Sequence, residues 1–304
     1  MAEAVRVDAQ IARGLDPGPL AGVPFAVKNL FDIAGLTTVA GSRINRDKPP
    51  ARRDAAAVIR LNRAGAVLLG ALNMDEYAYG FTTENSHDGP CRNPHDLTRV
   101  AGGSSGGSGA AVAGGLVPLT LGTDTNGSIR VPSSFCGTFG LKPTYGRLTR
   151  AGAAPFVSSL DHIGPLARSV ADIATAFDVM QGPDANDPVC TGRPAEPTLL
   201  RLGAGASGLR VALAGDYFTR GAEPEAYDAV RRVAAALDVR REVAIPQAAR
   251  ARAAAFIVTA SEGANLHLAD LKRRAGDFDP LTRDRFLAGA LVPASWYLQA
   301  QRFR

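Results

Sequence analysis

Residues 101–128, AGGSSGGSGAAVAGGLVPLTLGTDTNGS, constrain the fold of this chain more than any other segment. Ser104 and Ser128 each lie in a glycine-containing turn, and the stretch between them is apolar enough to bury in a core. Glycine permits positive φ and lets a reacting group approach main-chain N–H donors. A flexible Gly/Ser linker would not run into such an apolar stretch. We therefore expect two anchored turns, each presenting a serine.

Length and residue pattern favour a globular α/β protein. The chain has 304 residues, of which 46% are hydrophobic, and short apolar runs alternate with helical patterns as in a covered sheet. The predicted strands are 23–27, 66–69, 117–121 and 210–213, and the predicted helices are 54–64, 106–115, 170–180 and 224–237. Residues 184–207 are rich in Pro, Gly and small side chains. We interpret them as a surface connection within a single domain, 1–304.

Composition also excludes several classes of protein. The net charge is +5, but the arginines are scattered and aromatic residues make up only 6%, so we predict no nucleic-acid binding. No run approaches the ~18 apolar residues of a membrane span, and the charged N-terminus lacks the apolar core of a signal peptide. We therefore expect a cytoplasmic protein with no membrane association. Its three cysteines, Cys91, Cys136 and Cys190, contain no CxxC pair and are expected to be free thiols.

Several common motifs are discounted on their context. Gly203 to Gly208 fits GxGxxG, but it precedes a predicted strand and therefore indicates no dinucleotide site. Gly102 to Gly106 fits GxSxG, but the preceding segment is too polar for the strand of a nucleophile elbow. No histidine has a recognisable partner spacing; the four are His87, His95, His162 and His267. We predict no metal site, because no HExxH or paired Cys/His spacing occurs.

A lysine remains as the candidate base. Lys28 ends the apolar run LAGVPFAVKN, so a strand would place it at the edge of a hydrophobic layer. A lysine that snorkels to the surface is the ordinary interpretation. Buried against apolar walls and serine hydroxyls, however, lysine loses its charged form preferentially and can act as a neutral general base.

The combination of GVPFAVKN, AGGSSGGSGAAVAGG, GTDTNGSIRVPSSFCGTFGLKPTYGR and SSLDHIGP resembles the amidase signature family. The resemblance is strongest over residues 19–181. It implies an α/β fold with a mixed β-sheet covered by helices on both sides. It also implies a Ser-cisSer-Lys triad with Ser128 as the nucleophile, Ser104 as the serine after a cis peptide bond, and Lys28 as the base.

The resemblance implies roles for the turn around Ser128 as well. The backbone N–H groups of the turn would form the oxyanion hole; they belong to Thr125, Asn126, Gly127 and Ser128. Asp124 and Arg130 would hold the loop through an ion pair or hydrogen bonds. Most family members have glycine at the position of Asn126, so this residue is either a turn former or a substrate contact.

Within the family, NMDEYAYGFTTENSHDGP, TDTNGSIRVP and SSLDHIGP look most like the carboxybiuret hydrolase branch. The implied reaction is hydrolysis of a small linear amide or urea C–N bond with release of ammonia, and it needs no cofactor. An alternative is the glutaminase component of a tRNA-dependent amidotransferase. The cation that would receive a substrate carboxylate is not identified by the sequence.

The chain ends within ASWYLQAQRFR, where family members continue. We therefore expect the C-terminal part of the family core to be missing. A further alternative is an inactive fragment or a split subunit that needs a partner. The partners that the resemblance suggests, beside a small-molecule amide substrate, are a second copy in a homodimer and a small accessory subunit.

Overall fold

Eleven strands, most of them short, lie between Pro24 and Val243. The computed structural model describes residues 1–304. Its strands are β1 (Pro24–Lys28), β2 (Val67–Leu72), β3 (Glu84–Asn85), β4 (Gly89–Pro90), β5 (Arg92–Asn93), β6 (Asp96–Val100), β7 (Leu119–Asp124), β8 (Phe139–Gly140), β9 (His162–Ala167), β10 (Leu213–Ala214) and β11 (Glu242–Val243).

Nine α-helices accompany these strands. They are α1 (Ala2–Ala12), α2 (Ala56–Arg63), α3 (Gly106–Ala113), α4 (Arg130–Cys136), α5 (Val170–Met180), α6 (Pro224–Ala236), α7 (Ala248–Arg274), α8 (Pro280–Ala290) and α9 (Ala294–Phe303). The best-marked prediction, α5, begins and ends as expected because Ser169 accepts the N–H of Asp172 at 3.0 Å as an N-cap. None of the nine combines the length and apolar character that a membrane span requires.

The central sheet is mixed. Its strand order is β2-β1-β7-β9-β8. Strand β1 pairs in parallel with β2 and β7, whereas β9 is antiparallel to both β7 and β8. Helices α2, α3 and α5 pack around this sheet. The α/β fold with a mixed sheet is therefore confirmed.

One predicted strand is displaced. Residues 210–213 were expected to form a strand, but the strand observed there is β10, which starts at Leu213. Its only partner, β11, is two residues long, so no ladder is available for Arg210 to Ala212. The other three predicted strands differ from β1, β2 and β7 by at most a few residues at their ends.

Small residues bring α3 unusually close to the sheet and its loops. A Cβ on Gly107 would lie only 2.6 Å from the carbonyl oxygen of Asn73, so glycine is required at this position. Ser108 Oγ donates to Leu121 O of β7 at 2.9 Å, and Thr120 Oγ1 donates to Ser108 O at 3.1 Å. The apolar stretch between the two serine turns is thus held by both packing and hydrogen bonds.

The contacts divide the chain into two compact units. The first comprises residues 1–200 and 259–291 and contains the central sheet. The second comprises residues 201–258 and 292–304 and contains β10, β11, α6 and α9. The interpretation of residues 1–304 as a single domain stays a prediction. Within the predicted surface connection, residues 184–198 form neither helix nor strand.

Candidate active site

Lys28 is a fully enclosed charged group at the centre of the site. It is the last residue of β1, and its side chain has no solvent exposure. Nζ donates to Ser104 Oγ at 2.7 Å and to Thr123 Oγ1 at 2.9 Å. Thr123 lies near the end of β7, which neighbours β1, and so the sheet itself brings these two side chains together.

The enclosure changes the proton affinity of the lysine. Burial lowers the pKa of Lys28 from 10.5 to about 7, and the negative charges of Asp75, Asp161 and Asp124 oppose a further decrease. An amine with this pKa is substantially neutral near pH 7 and can accept a proton. Two hydroxyl groups at hydrogen-bond distance then provide a route for that proton.

Ser104 lies in the first glycine-rich turn, just before α3. The peptide bond between Gly103 and Ser104 is cis, and the Ser104 side chain is fully buried. The next residue ties this turn to the second one, because Ser105 N–H donates to Ser128 O at 3.3 Å. The structure therefore brings Lys28, Ser104 and the Ser128 turn into one place, although the Ser104 and Ser128 hydroxyls are not hydrogen-bonded to each other.

The second turn is organised around the carboxylate of Asp124. This side chain is fully buried and accepts the N–H groups of Gly127 at 2.8 Å and Ile129 at 3.2 Å. Arg130 donates to it from Nε at 3.0 Å and from Nη2 at 2.9 Å. Burial by itself would raise the pKa of Asp124, but the hydrogen bonds and charge of Arg130 outweigh it and hold the pKa below its ordinary value. Asp124 and Arg130 thus form an ion pair that holds the loop in place.

Two side chains of the loop also form hydrogen bonds to residues outside it. Thr125 Oγ1 donates to Asp161 Oδ1 at 2.6 Å, and Asn126 Nδ2 donates to Thr259 Oγ1 at 2.8 Å. Thr259 belongs to α7 and is almost fully buried. The amide of Asn126 is therefore engaged by the protein itself in this structure.

The four N–H groups expected to form the oxyanion hole are not equivalent. That of Gly127 already donates to Asp124, so it is directed at a carboxylate. The remaining candidates from the sequence are the N–H groups of Thr125, Asn126 and Ser128. Ser128 is only 4% exposed, so an oxyanion next to it would develop away from bulk water.

A cavity of about 140 Å³ is lined in part by Thr123, a hydrogen-bond partner of Lys28. Thr123, Asp161, His162 and Phe156 are among the residues that line it. Arg150 also lines it, but two of its nitrogens are bonded to the carboxylate of Asp187.

A second, smaller cavity lies beside the segment that precedes the Ser104 turn. Asp75, Phe81, Glu84 and Arg285 are among its lining residues. Arg285 donates to the carbonyl oxygen of Tyr79 at 3.0 Å and forms no ion pair with a carboxylate. Its guanidinium is therefore a candidate to meet an anionic ligand, and its position on α8 gives no signal in the sequence.

His162 and His267 make contacts outside the proposed triad. His162 Nδ1 lies 2.6 Å from Leu160 O and its Nε2 lies 3.2 Å from Lys142 Nζ. His267 packs against Tyr77 with ring centroids 3.8 Å apart, and burial lowers the pKa of His267 to about 4. Neither lies within hydrogen-bond distance of the serines. No group of three or more His, Cys, Asp or Glu side chains is arranged to hold a metal ion.

Sequence reasoning misses four residues that contact or influence the proposed triad and the Ser128 turn: Asp75, Thr123, Asp161 and Thr259. Asp161 lies in the motif SSLDHIGP, which contributes to the sequence analysis only through the family resemblance. Asp75 lies in NMDEYAYG, and nothing in that pattern indicates proximity to Lys28. Their contribution depends on tertiary contacts that no spacing along the chain reveals.

Comparison with known proteins gives a consistent picture. The amidase family model matches residues 1–301. The chain is 60% identical over 303 residues to AtzE, the 1-carboxybiuret hydrolase subunit of Pseudomonas sp. strain ADP, in a match that covers 100% of this chain and 66% of that protein. It is 41% identical to a subunit of the glutamyl-tRNA(Gln) amidotransferase of Roseiflexus sp. strain RS-1, with 98% of this chain and 66% of that protein covered.

Solved structures agree with these matches. One, described as a vestigial protein complex that reveals the evolutionary origins of an s-triazine catabolic enzyme, superposes with a TM-score of 0.98 at 60% identity. The match covers 99% of this chain and 66% of that one. A glutamyl-tRNA(Gln) amidotransferase subunit from Thermotoga maritima superposes with a TM-score of 0.82 at 32% identity, covering 94% of this chain and 63% of that one. The chain thus spans about two-thirds of the length of the relatives it matches.

Proposed function

The chain belongs to the amidase family, and from that premise we propose that it is an amidohydrolase acting on a small linear amide or urea, with a carboxybiuret-like substrate and ammonia as a product. The observation that carries the proposal is the buried Lys28 amine, whose pKa is about 7 and whose Nζ lies 2.7 Å from Ser104 Oγ. A lysine with an ordinary pKa would be charged near pH 7 and unable to act as a base.

In the proposed reaction, Ser128 Oγ attacks the substrate carbonyl and its proton passes to Ser104 Oγ. Ser104 gives its own proton to the neutral Lys28 amine, which becomes an ammonium. The carbonyl oxygen gains negative charge next to the N–H donors of the Ser128 turn. The ammonium then returns a proton by the same route to the departing nitrogen, so that ammonia leaves and an acyl-enzyme or carbamoyl-enzyme remains. Water resolves this intermediate in a second, equivalent cycle.

The loop contacts support this assignment. Asp124 and Arg130 fix the turn, and Asp161 and Thr259 fix the side chains of Thr125 and Asn126. Donors that are held in place before the reaction need no reorganisation when charge develops, and the loss of one such donor typically costs about 100- to 1000-fold in rate. Asn126 is assigned to the turn, because its amide is bonded to Thr259.

Glutaminase activity is the second candidate, because the Roseiflexus amidotransferase subunit is 41% identical to this chain. Ammonia release from 1-carboxybiuret and from glutamine, measured side by side on the purified chain, distinguishes the two. We expect ammonia from carboxybiuret and none from the Ser128→Ala variant. Ammonia from glutamine alone would assign the chain to the second candidate.

A second copy of the chain or an accessory subunit is the remaining part of the proposal. A solved structure that is described as a vestigial protein complex and is 60% identical to this chain supports such a partner. If neither substrate yields ammonia and Ser128 also fails to react with a fluorophosphonate probe, the amidohydrolase proposal is wrong for the chain alone.

A further inference from the structure

Three buried carboxylates surround Lys28 without forming an ion pair with it. They are Asp75, Asp124 and Asp161, and the charge of each raises the pKa of the lysine. A positive charge formed on Lys28 during the reaction would have to be balanced inside the protein, because solvent does not reach the amine. The three carboxylates differ in how far they are free to do so.

Two of them are already committed to other partners. Asp124 is paired through two hydrogen bonds with the guanidinium of Arg130. Asp161 accepts three short hydrogen bonds, from Thr125 Oγ1 at 2.6 Å, Phe156 N at 2.8 Å and Val157 N at 2.9 Å. Their negative charge is thus offset by local donors.

Asp75 is the exception. Its Oδ1 accepts the N–H of Thr83 at 3.0 Å, while Oδ2 has only the hydroxyl of Thr83 at 3.5 Å. It forms no ion pair, although it is only 7% exposed. An incompletely satisfied buried carboxylate is costly without a nearby cation, so a positive charge that forms close to it is stabilised.

The position of Asp75 ties it to the proton relay. Its backbone N–H donates to the carbonyl oxygen of Ser104 at 3.3 Å. A Cβ on Gly103 would lie 2.1 Å from Asp75 Oδ2, so only glycine lets this carboxylate lie against the turn that carries Ser104. Asp75 therefore faces the same turn that Lys28 contacts through Ser104.

We propose that Asp75 is a positioning residue, the counter-ion of the Lys28 ammonium that forms when Ser104 passes on the proton of Ser128. This proposal rests on the proposed function, since the ammonium arises in that reaction. The proposed role does not involve contact between this carboxylate and the substrate. It acts through Lys28, stabilising the charged form of the base while the tetrahedral intermediate exists.

Asp75 carries its negative charge in the pH range in which this role requires it. Burial raises the pKa of Asp75 to about 6, against the opposing influence of the Thr83 hydrogen bonds, Lys28 and Arg285. Cys91 also faces it and is a neutral thiol, because burial raises the pKa of Cys91 to about 11. The other titratable residues that line the same cavity are Glu76, Tyr79, Glu84 and Asp279. At pH 7 and above, the carboxylate is thus mostly charged and Lys28 is free to cycle.

The test is the rate at which a sulfonyl fluoride probe labels Ser128, measured from pH 5 to 9. In Asp75→Asn, the amide oxygen can still accept the Thr83 N–H, but the charge is lost. The pKa of Lys28 should fall, so the acid limb of the profile should move to lower pH by roughly one unit. The plateau rate should also fall a few-fold, because the base is weaker.

Two variants separate the charge from other effects. Asp75→Ala removes the charge and the hydrogen bond, and should shift the limb as far as Asp75→Asn does. Glu84→Gln removes an exposed carboxylate from the same cavity, and should leave the limb where it is, because solvent screens that charge. An acid limb in Asp75→Asn that coincides with the wild-type limb overturns the proposal. A wild-type chain unlabelled at every pH instead contradicts the proposed function, and this proposal with it.

The reciprocal variant covers the case in which the Asp75 substitutions do not fold. Linkage requires that Lys28 and Asp75 influence each other equally. In Lys28→Met, loss of the ammonium should raise the pKa of Asp75 above its value of about 6. A ¹³C-detected titration of the aspartate carboxyls should show this shift, and an unchanged set of titrations would overturn the proposal.

Discussion

At the scale of single residues, the cost of enclosing Lys28 dominates the site. Lowering its pKa from 10.5 to about 7 corresponds to about 5 kcal/mol of destabilisation of the ammonium relative to water. Hydrogen bonds to Ser104 and Thr123 and three nearby carboxylates do not cancel this cost. A group held so unfavourably is more consistent with a reaction role than with a contribution to stability.

From this cost we predict how the stability of the fold depends on pH. Between about pH 7 and 10.5 the unfolded chain binds a proton at Lys28 that the folded chain does not, so this lysine makes the fold less stable as the pH falls towards 7. Lys28→Met removes this term. The free energy of unfolding of this variant should exceed that of the wild type most at pH 7. The difference should shrink towards pH 10, by at most about 1.4 kcal/mol for each pH unit.

Denaturant unfolding of both proteins at several pH values measures the difference. Thr38→Val, a substitution outside the site, serves as the control and should show a difference that does not vary between pH 7 and 10. A Lys28→Met difference that is flat over this range would mean that the lysine is not buried in its neutral form.

At the scale of elements, the turn between β7 and α4 is the working part of the site. It begins at Asp124, the last residue of β7, and Arg130 begins α4. The same carboxylate therefore accepts donors from both the loop and the helix. This arrangement holds Ser128 and its neighbouring N–H groups in a fixed geometry.

Removing the cation of the Asp124–Arg130 ion pair tests that arrangement. Arg130→Ala leaves the fully buried Asp124 carboxylate without its cation, which should cost about 2 kcal/mol of stability, less than for a fully buried pair because Arg130 is half exposed. The rate of Ser128 labelling should fall as well. Thermal unfolding and probe labelling measure the two effects on the same sample.

Arg130→Lys is the matched variant for this prediction. It keeps the positive charge but loses the two-nitrogen contact, so its stability and labelling rate should lie between those of the wild type and of Arg130→Ala. Wild-type labelling in a destabilised Arg130→Ala protein would show that the ion pair supports the fold without positioning the nucleophile.

The elements differ in how well the sequence predicts them. Helix α5 has a side-chain N-cap at Ser169 and a following Gly-Pro pair, so local chemistry defines it. Strands β1 and β7 are apolar runs, and their predicted ends lie within a few residues of the observed ones. Helix α7 reaches Asn126 through Thr259, more than a hundred residues away, and a contact of this kind has no local signature.

The features of the site likewise differ in how well the sequence predicts them. Glycine-rich turns, an apolar run and a family resemblance are enough to nominate Lys28, Ser104 and Ser128. They do not reveal that Asp124 uses the Gly127 N–H, or that Oδ2 of Asp75 is left with a single long contact. Both depend on the direction in which a side chain points after folding, and neither residue spacing nor composition determines that direction.

At the scale of the whole molecule, the proposed catalytic groups belong to one compact unit. Lys28, Ser104, Ser128 and the carboxylates around them all lie in residues 1–200, and Thr259 and Arg285 lie in residues 259–291 of the same unit. The mixed sheet and the proposed triad are therefore features of this one unit, whereas the family match extends over residues 1–301. The substrate and the partners are the parts of the account that depend on more than this unit.

The central claim is that Lys28 activates Ser128 through Ser104. Labelling of Ser128 by a fluorophosphonate probe, followed by mass spectrometry in the wild type, Lys28→Ala and Ser104→Ala, tests it most directly. We predict labelling of the wild type that increases through about pH 7, and a loss of about 100-fold or more in both variants. Undiminished labelling in both variants would contradict the relay.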